Sequence, residues 1–202
     1  MPKSCVNLLV VENEDSLAQL RATELGKITQ PTWAATLAEA RDKLSVCGYL
    51  VDTWCLGLKD AIGPQRMGRR ELEAFKRQYF RLWESQGIPI PLALAQHLVL
   101  GAVEYARGLG FKPHQDFLQA RRLLGAWDGQ CSITFGRDGK PNYMSGPSDD
   151  PQRVLATLLR SVGRDGFHYT VSIGDFDDPD GADGGFRYSA LLSNSGELGE
   201  VA

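Results

Sequence analysis

Apolar positions along the chain fall into short blocks, each with a two-residue or a 3.6-residue period, and these blocks predict the elements. Val6 to Val11 is an apolar run broken only by Asn7 and reads as a short strand. Asp15 and Ser16 then offer caps for a helix that turns Leu17, Leu20 and Leu25 toward the core and stops at Gly26. Thr36-Leu37-Ala38-Glu39 has the form of a capping box, in which hydroxyl and carboxylate satisfy exposed N–H groups, and it predicts a helix to about Val46. Tyr49 to Cys55 is β-branched, aromatic and apolar, is closed by Gly57, and carries Asp52 as its single charge. Such a run predicts an internal strand.

From Arg69 to Trp83 the residues Leu72, Phe75, Tyr79, Leu82 and Trp83 recur at helical spacing, leaving Arg70, Lys76, Arg77 and Arg81 as a basic outer face. Ile88-Pro89-Ile90-Pro91 cannot continue a helix, but Pro91 can begin the next, from Leu92 to Leu109 with a stop at Gly110. That helix is apolar nearly all round, as a central helix packed by several neighbours would be. Ile133 to Gly136 and Pro141 to Met144 flank Asp138-Gly139, a dipeptide suited to the positive φ angles of a tight hairpin. Asp150 before Pro151 reads as a cap with proline at the first helical position, and Val154, Leu155, Leu158 and Val162 extend the helix to Gly163. Phe167 to Ile173 predicts a strand, and the glycine-rich, acidic stretch Gly174 to Gly185 predicts a loop.

These elements define an α+β fold: an N-terminal α/β lobe, a helical middle, and a C-terminal layer of hairpin, helix and strand. The length suits one integrated domain over 1–174, with lobes at about 1–62, 63–125 and 126–174, followed by an acidic loop and tail over 175–202. Composition supports burial of a core, since 43% of the 202 residues are apolar and 23% are charged. A net charge of −3 argues against a strongly basic nucleic-acid binder, although residues 66–81 are basic and 175–183 acidic. Val6 to Val11 is too short for a secretory signal or a membrane span, which places the protein in the cytoplasm without a membrane partner. Cys5, Cys47, Cys55 and Cys131 lack paired spacing, so buried free thiols are expected rather than a zinc site or disulfides. Neither a G-x-G-x-x-G nor a P-loop occurs, and no cofactor or metal is expected.

Five groups of residues could carry chemistry. His114 and Asp116 lie in the loop Gly110 to Phe117 behind the central helix, where they could act as a general base and its orienting carboxylate, or as two metal ligands. The plainer expectation is that Asp116 caps the next helix, containing Leu118, Leu123 and Leu124, while His114 bonds backbone and packs on Pro113. On the central helix His97, Gly101, Glu104 and Gly108 share a face, either as a buried His-Glu pair or as a packing seam over the glycines. Asp52, Cys55, Lys59 and Asp60 gather at the end of the predicted strand, where Cys55 is either a nucleophile or, more simply, a small core residue. Asp175 to Gly181 has the acidity of a calcium loop without its alternation or terminal glutamate, and reads as solvated. The basic face of Arg70, Lys76, Arg77 and Arg81 could meet phosphate, although charged outer faces are ordinary.

The succession Gly48 to Asp60, Ala95 to Ala106, Gly110 to Phe117, Ile133 to Tyr143, Ser145-Gly146-Pro147 and Asp149-Asp150-Pro151 resembles a family of uncharacterised bacterial proteins over roughly residues 47–170. The resemblance implies no particular activity. Residues 12–46 depart from it, with helix-forming sequence where the resemblance implies a strand. A non-enzymatic binding or accessory protein, with another protein as its partner, is the leading functional expectation. A hydrolase of nucleic acid or a phosphoester, using His114 and Asp116 with Glu104 or Asp52, is the first alternative. An RNA-contacting module using the basic helix is the second.

Overall fold

The apolar run at the N-terminus pairs on both sides. Ser4–Val11 (β1) runs parallel to Leu44–Asp52 (β3) and antiparallel to Thr32–Leu37 (β2). Gly57–Met67 (β4) returns antiparallel to β3 and Ile88–Pro89 (β5) runs parallel to β2, giving the strand order β4-β3-β1-β2-β5. In this computed structural model the described residues are 4–11, 32–37, 43–81, 87–130, 133–146, 148–176 and 188–193. The fold is α+β, and the chain divides into two compact units, Met1–Gly139 and Lys140–Ala202. The lobe limits expected near 62 and 125 both fall within the first unit.

In the first unit Arg69–Tyr79 (α1) follows β4, Leu92–Gly108 (α2) follows β5, and Phe117–Ala120 (α3) leads into a 3₁₀ turn over Arg121–Leu123. The central position expected of α2 is observed. Leu94, Ala95, Leu98, Val99, Ala102 and Val103 are buried against Tyr49, Val51 and Leu58 of the sheet and Phe117 and Leu124 beyond it. Two polar anchors hold this core in register. The Gln96 amide donates to the Leu124 and Ala126 carbonyls at 2.7 and 2.8 Å, and the buried Tyr49 hydroxyl donates to the Ala120 carbonyl at 2.8 Å. On the sheet's second core cluster, Leu8, Leu44, Val46 and Met67 meet Leu72 and Phe80. Tyr79 lies against Gly48 so closely that a Cβ there would sit 2.8 Å from its hydroxyl, so the glycine is what lets α1 approach β3.

The second unit has the order Asn142–Met144 (β6), Pro151–Val162 (α4), His168–Phe176 (β7) and Tyr188–Ser193 (β8). β6 runs parallel to β7 and β8 antiparallel to it. The predicted start of α4 is present: the Asp150 side chain accepts from the Arg153 N–H at 3.1 Å, Pro151 opens the helix, and Gly163 ends it at φ 76°.

Several expectations are corrected. Thr36 does not start a helix. It lies in β2 opposite Cys5, and Val46 lies in β3, so strand pairing overrides the local cap signal and residues 32–37 and 44–46 are not helix-forming in place. The Tyr49 strand begins earlier, at Leu44, and ends at Asp52, which leaves Cys55 in a turn. Asp138 and Gly139 have the expected positive φ values of 51° and 77°, but Ile133 to Gly136 is not a strand, and Asn142–Met144 pairs with β7 instead. β7 runs on to Phe176, and β8 lies within the expected tail. The proposed helix from Asp15 to Gly26, Leu82, Trp83, Cys131 and the acidic stretch beyond Phe176 lie outside the described residues.

Candidate functional site

Asp52 is the most constrained of the candidate groups. It ends β3, where its carboxylate folds back over the turn that follows and accepts three backbone N–H groups, from Trp54 at 2.8 Å, Cys55 at 3.1 Å and Leu56 at 2.9 Å. This is an extended Asx turn, closed by Gly57 at φ 71°. A Cβ on Gly57 would lie 2.6 Å from the Ala106 Cβ and 2.7 Å from the Ala102 carbonyl oxygen, so α2 packs directly on the turn. Burial pushes the Asp52 carboxyl above its ordinary value, against the opposing influence of the three N–H groups and Lys59. Cys55 beside it is a fully buried cysteine outside any disulfide, as is Cys47.

A tyrosine that the sequence does not single out joins this turn. The Tyr105 hydroxyl on α2 is buried and without a hydrogen-bond partner among the described residues, and its ring stacks on Phe135 at 5.6 Å. Burial, followed by the nearby Cys55 and Asp52, pushes its ionisation well above the usual tyrosine range. The Gly136 N–H donates to the Thr53 carbonyl at 3.0 Å, and the Arg137 guanidinium lies over the Trp54 ring at 5.7 Å, so the 135–137 segment is laid across the turn. The apolar spacing of α2 marks Tyr105 only as one more aromatic, and nothing in the sequence places it beside Asp52.

His114 is held at the edge of β4. Its backbone N–H donates to the Leu58 carbonyl at 3.2 Å, and its Nδ1 accepts a long bond from the Asp116 N–H at 3.4 Å. An acceptor at Nδ1 places the proton of the neutral ring on Nε2. That atom faces Asp60 Oδ1 at 3.7 Å, while Asp116 Oδ2 stands 4.0 Å from Nδ1. Both carboxylates are about half exposed. Asp116 occupies the N-cap position of α3, but its side chain accepts no backbone N–H there. The expected cap is therefore not made, because the residue has helical backbone angles, φ −78° and ψ −4°, and these direct the side chain away from the first-turn donors.

The other expected members do not converge on His114. Glu104 is exposed and forms an ion pair with Arg107 at 2.7 Å, so the buried His-Glu pair is not formed. His97 lies 6.5 Å, ring to ring, from Trp127. Gly108 faces open space, so the seam over both glycines is absent as well. No hydrogen bond or ion pair among the described residues joins Asp52 or Glu104 to His114 or Asp116. Likewise, no group of three or more His, Cys, Asp and Glu side chains among them is arranged to hold a metal ion.

On α1 the aromatic inner face is as expected, with Phe75 and Tyr79 stacked at 5.8 Å and Phe80 edge-on to Tyr79 at 5.3 Å. Arg70, Arg77 and Arg81 are exposed. Lys76 is not part of the outer face: it is only 8% exposed. Its ammonium reaches Glu73 at 3.4 Å. Glu71 and Glu73 on the same helix further dilute its positive charge.

The class defined by these observations is an α+β protein built on a mixed five-stranded sheet. No family model matches the chain, and no curated protein or solved structure shows significant similarity to it. No helix among the described residues is long and apolar enough to cross a membrane.

Proposed function

We propose that this is a non-enzymatic binding or accessory protein whose partner is another protein. The observation that carries this reading is the state of the His114 ring. The His114 Nδ1 lone pair is engaged within its own loop by the Asp116 N–H, and Nε2 faces Asp60 at 3.7 Å, too far for a hydrogen bond, so no base and orienting carboxylate are joined as a catalytic pair. The remaining carboxylates are committed elsewhere, Asp52 to three N–H groups of its own turn and Glu104 to Arg107. General acid-base chemistry needs such groups within reach of one reacting atom. The exposed Arg70, Arg77 and Arg81 favour the RNA-contacting reading as the second, weakened by the loss of Lys76 from that face.

Affinity capture from cell extract, with mass spectrometry of bound protein and sequencing of bound nucleic acid, separates the two readings. The expected result is a discrete protein partner that survives nuclease treatment and is retained equally by the Arg77→Glu, Arg81→Glu double variant. Salt-sensitive retention of nucleic acid, lost in that double variant while its fold is intact, would instead establish the basic helix as the binding element.

A further inference from the structure

The second unit contains a cleft of about 590 Å³ that none of the candidate site residues lines. Its geometry follows from the end of α4. Leu155 and Leu159, four residues apart, stand on one side of the helix, with Leu159 half exposed. Past Gly163 the chain turns sharply, with the Gly166 N–H donating to the Gly163 carbonyl at 3.2 Å, and Phe167 leads into β7, which begins at His168. The Lys140 ammonium donates to the Asp165 carbonyl at 3.0 Å, which engages one of its three protons and leaves two. Arg164 stands in the same wall. The His168 Nδ1 is buried and has no hydrogen-bond partner among the described residues.

We propose that this cleft binds a small organic anion, its charged head between Lys140 and Arg164 and its apolar body along Leu155, Leu159 and Phe167. Two cations face one carboxylate, that of Asp165, so the charge of the lining is positive on balance. A guanidinium beside an ammonium suits a carboxylate or a phosphate, since both present several acceptor oxygens to fixed N–H donors. The lining is mixed, with Leu155, Leu159 and Phe167 beside Lys140 and Arg164, so a bare inorganic anion would leave its apolar part unused. His168 lines the cleft, so its imidazole reports on what enters it. The residues concerned all belong to the second unit, so the inference does not depend on the identity of the protein partner proposed above.

The chain has three histidines, His97, His114 and His168, and only the last lines the cleft, so the other two act as internal controls. Side-chain NMR of the full chain, titrated separately with octanoate, octyl phosphate, octanol and inorganic phosphate, tests the proposal. Saturable movement of the His168 imidazole signals with octanoate or octyl phosphate is expected, with those of His97 and His114 unmoved, and whichever of the two binds more tightly identifies the head group. Arg164→Ala and Lys140→Ala, both at exposed positions, should each weaken binding by roughly tenfold, the loss of one charge-assisted contact. Leu159→Glu should weaken the amphiphiles alone. The proposal is overturned if His168 does not move with either anionic amphiphile. It fails equally if octanol binds as tightly as octyl phosphate, if inorganic phosphate does so, or if both cation variants bind like the wild type.

Discussion

Asp52→Ala is expected to destabilise the protein by about 3 kcal/mol or more, since each buried donor left without an acceptor costs about 1 to 3 kcal/mol. The substitution removes one acceptor group and strands three donors, the N–H groups of Trp54, Cys55 and Leu56. Trp54 and Cys55 are buried, so water cannot take over from the carboxylate without opening the turn. Opening it also moves Gly57 away from Ala102 and Ala106, and with them the seat of α2. Asp52→Asn should cost less, because one amide oxygen can still accept from Trp54 and Cys55, and only the bond from Leu56 is lost. The two variants also differ from the wild type in pH dependence. Burial raises the Asp52 carboxyl in the folded state above its unfolded value, so the folded protein binds the proton more tightly. The resulting stabilisation is complete below the ordinary carboxylate value, about 4, and is lost as pH rises through the raised one. Urea unfolding across that interval should therefore show a downward contribution in the wild type that Asp52→Asn lacks. A loss under about 0.5 kcal/mol for Asp52→Ala, the range of surface changes, would mean that the turn does not depend on this carboxylate.

Leu98→Ala should cost about 2 to 5 kcal/mol through the cavity it leaves. Leu98 is 1% exposed at the middle of α2, in the cluster that joins β3 and β4 to Phe117 and Leu124. The polar anchors around it, Gln96 to the Leu124 and Ala126 carbonyls and Tyr49 to the Ala120 carbonyl, fix the surrounding backbone and limit its collapse into the space. The value should therefore fall toward the upper end of the range. Urea unfolding measures it, and a change of less than about 0.5 kcal/mol would remove α2 from the centre of the fold.

Elements with strong local signals were legible from sequence, and those that depend on distant partners were not. Asp150-Pro151 fixes the start of α4 through one side chain and one ring, both local, and the continuous apolar character of α2 requires a central position whatever its neighbours. β4 was missed because Gly-Leu-Lys-Asp-Ala-Ile-Gly-Pro-Gln-Arg-Met has no clean alternation: its pairing with β3 shifts register twice, and it carries Pro64, which a sheet-edge strand tolerates. The cap signal at Thr36 was real as chemistry but lost to pairing with β1, and threonine suits a strand as readily as a cap. The candidate site fared likewise. Asp52 could be singled out as the one charge in an apolar run, yet its role depends on a turn of which only the closing glycine was foreseen. The proximity of Asp60 to His114 required β4 to exist, and the lost cap at Asp116 turns on backbone angles that no residue type dictates.

The proposal of a binding protein rather than a hydrolase, with His114 and its neighbouring carboxylates outside any reaction, is tested most directly by phosphoester hydrolysis. Wild type and His114→Ala would be compared on bis(4-nitrophenyl) phosphate, 4-nitrophenyl phosphate and single-stranded RNA, with urea unfolding of both proteins recorded alongside. The account predicts that neither protein turns over any of the substrates above the buffer rate, while His114→Ala loses measurable stability with its Nδ1 contact to the Asp116 N–H. Turnover by the wild type that His114→Ala abolishes without loss of stability would contradict it.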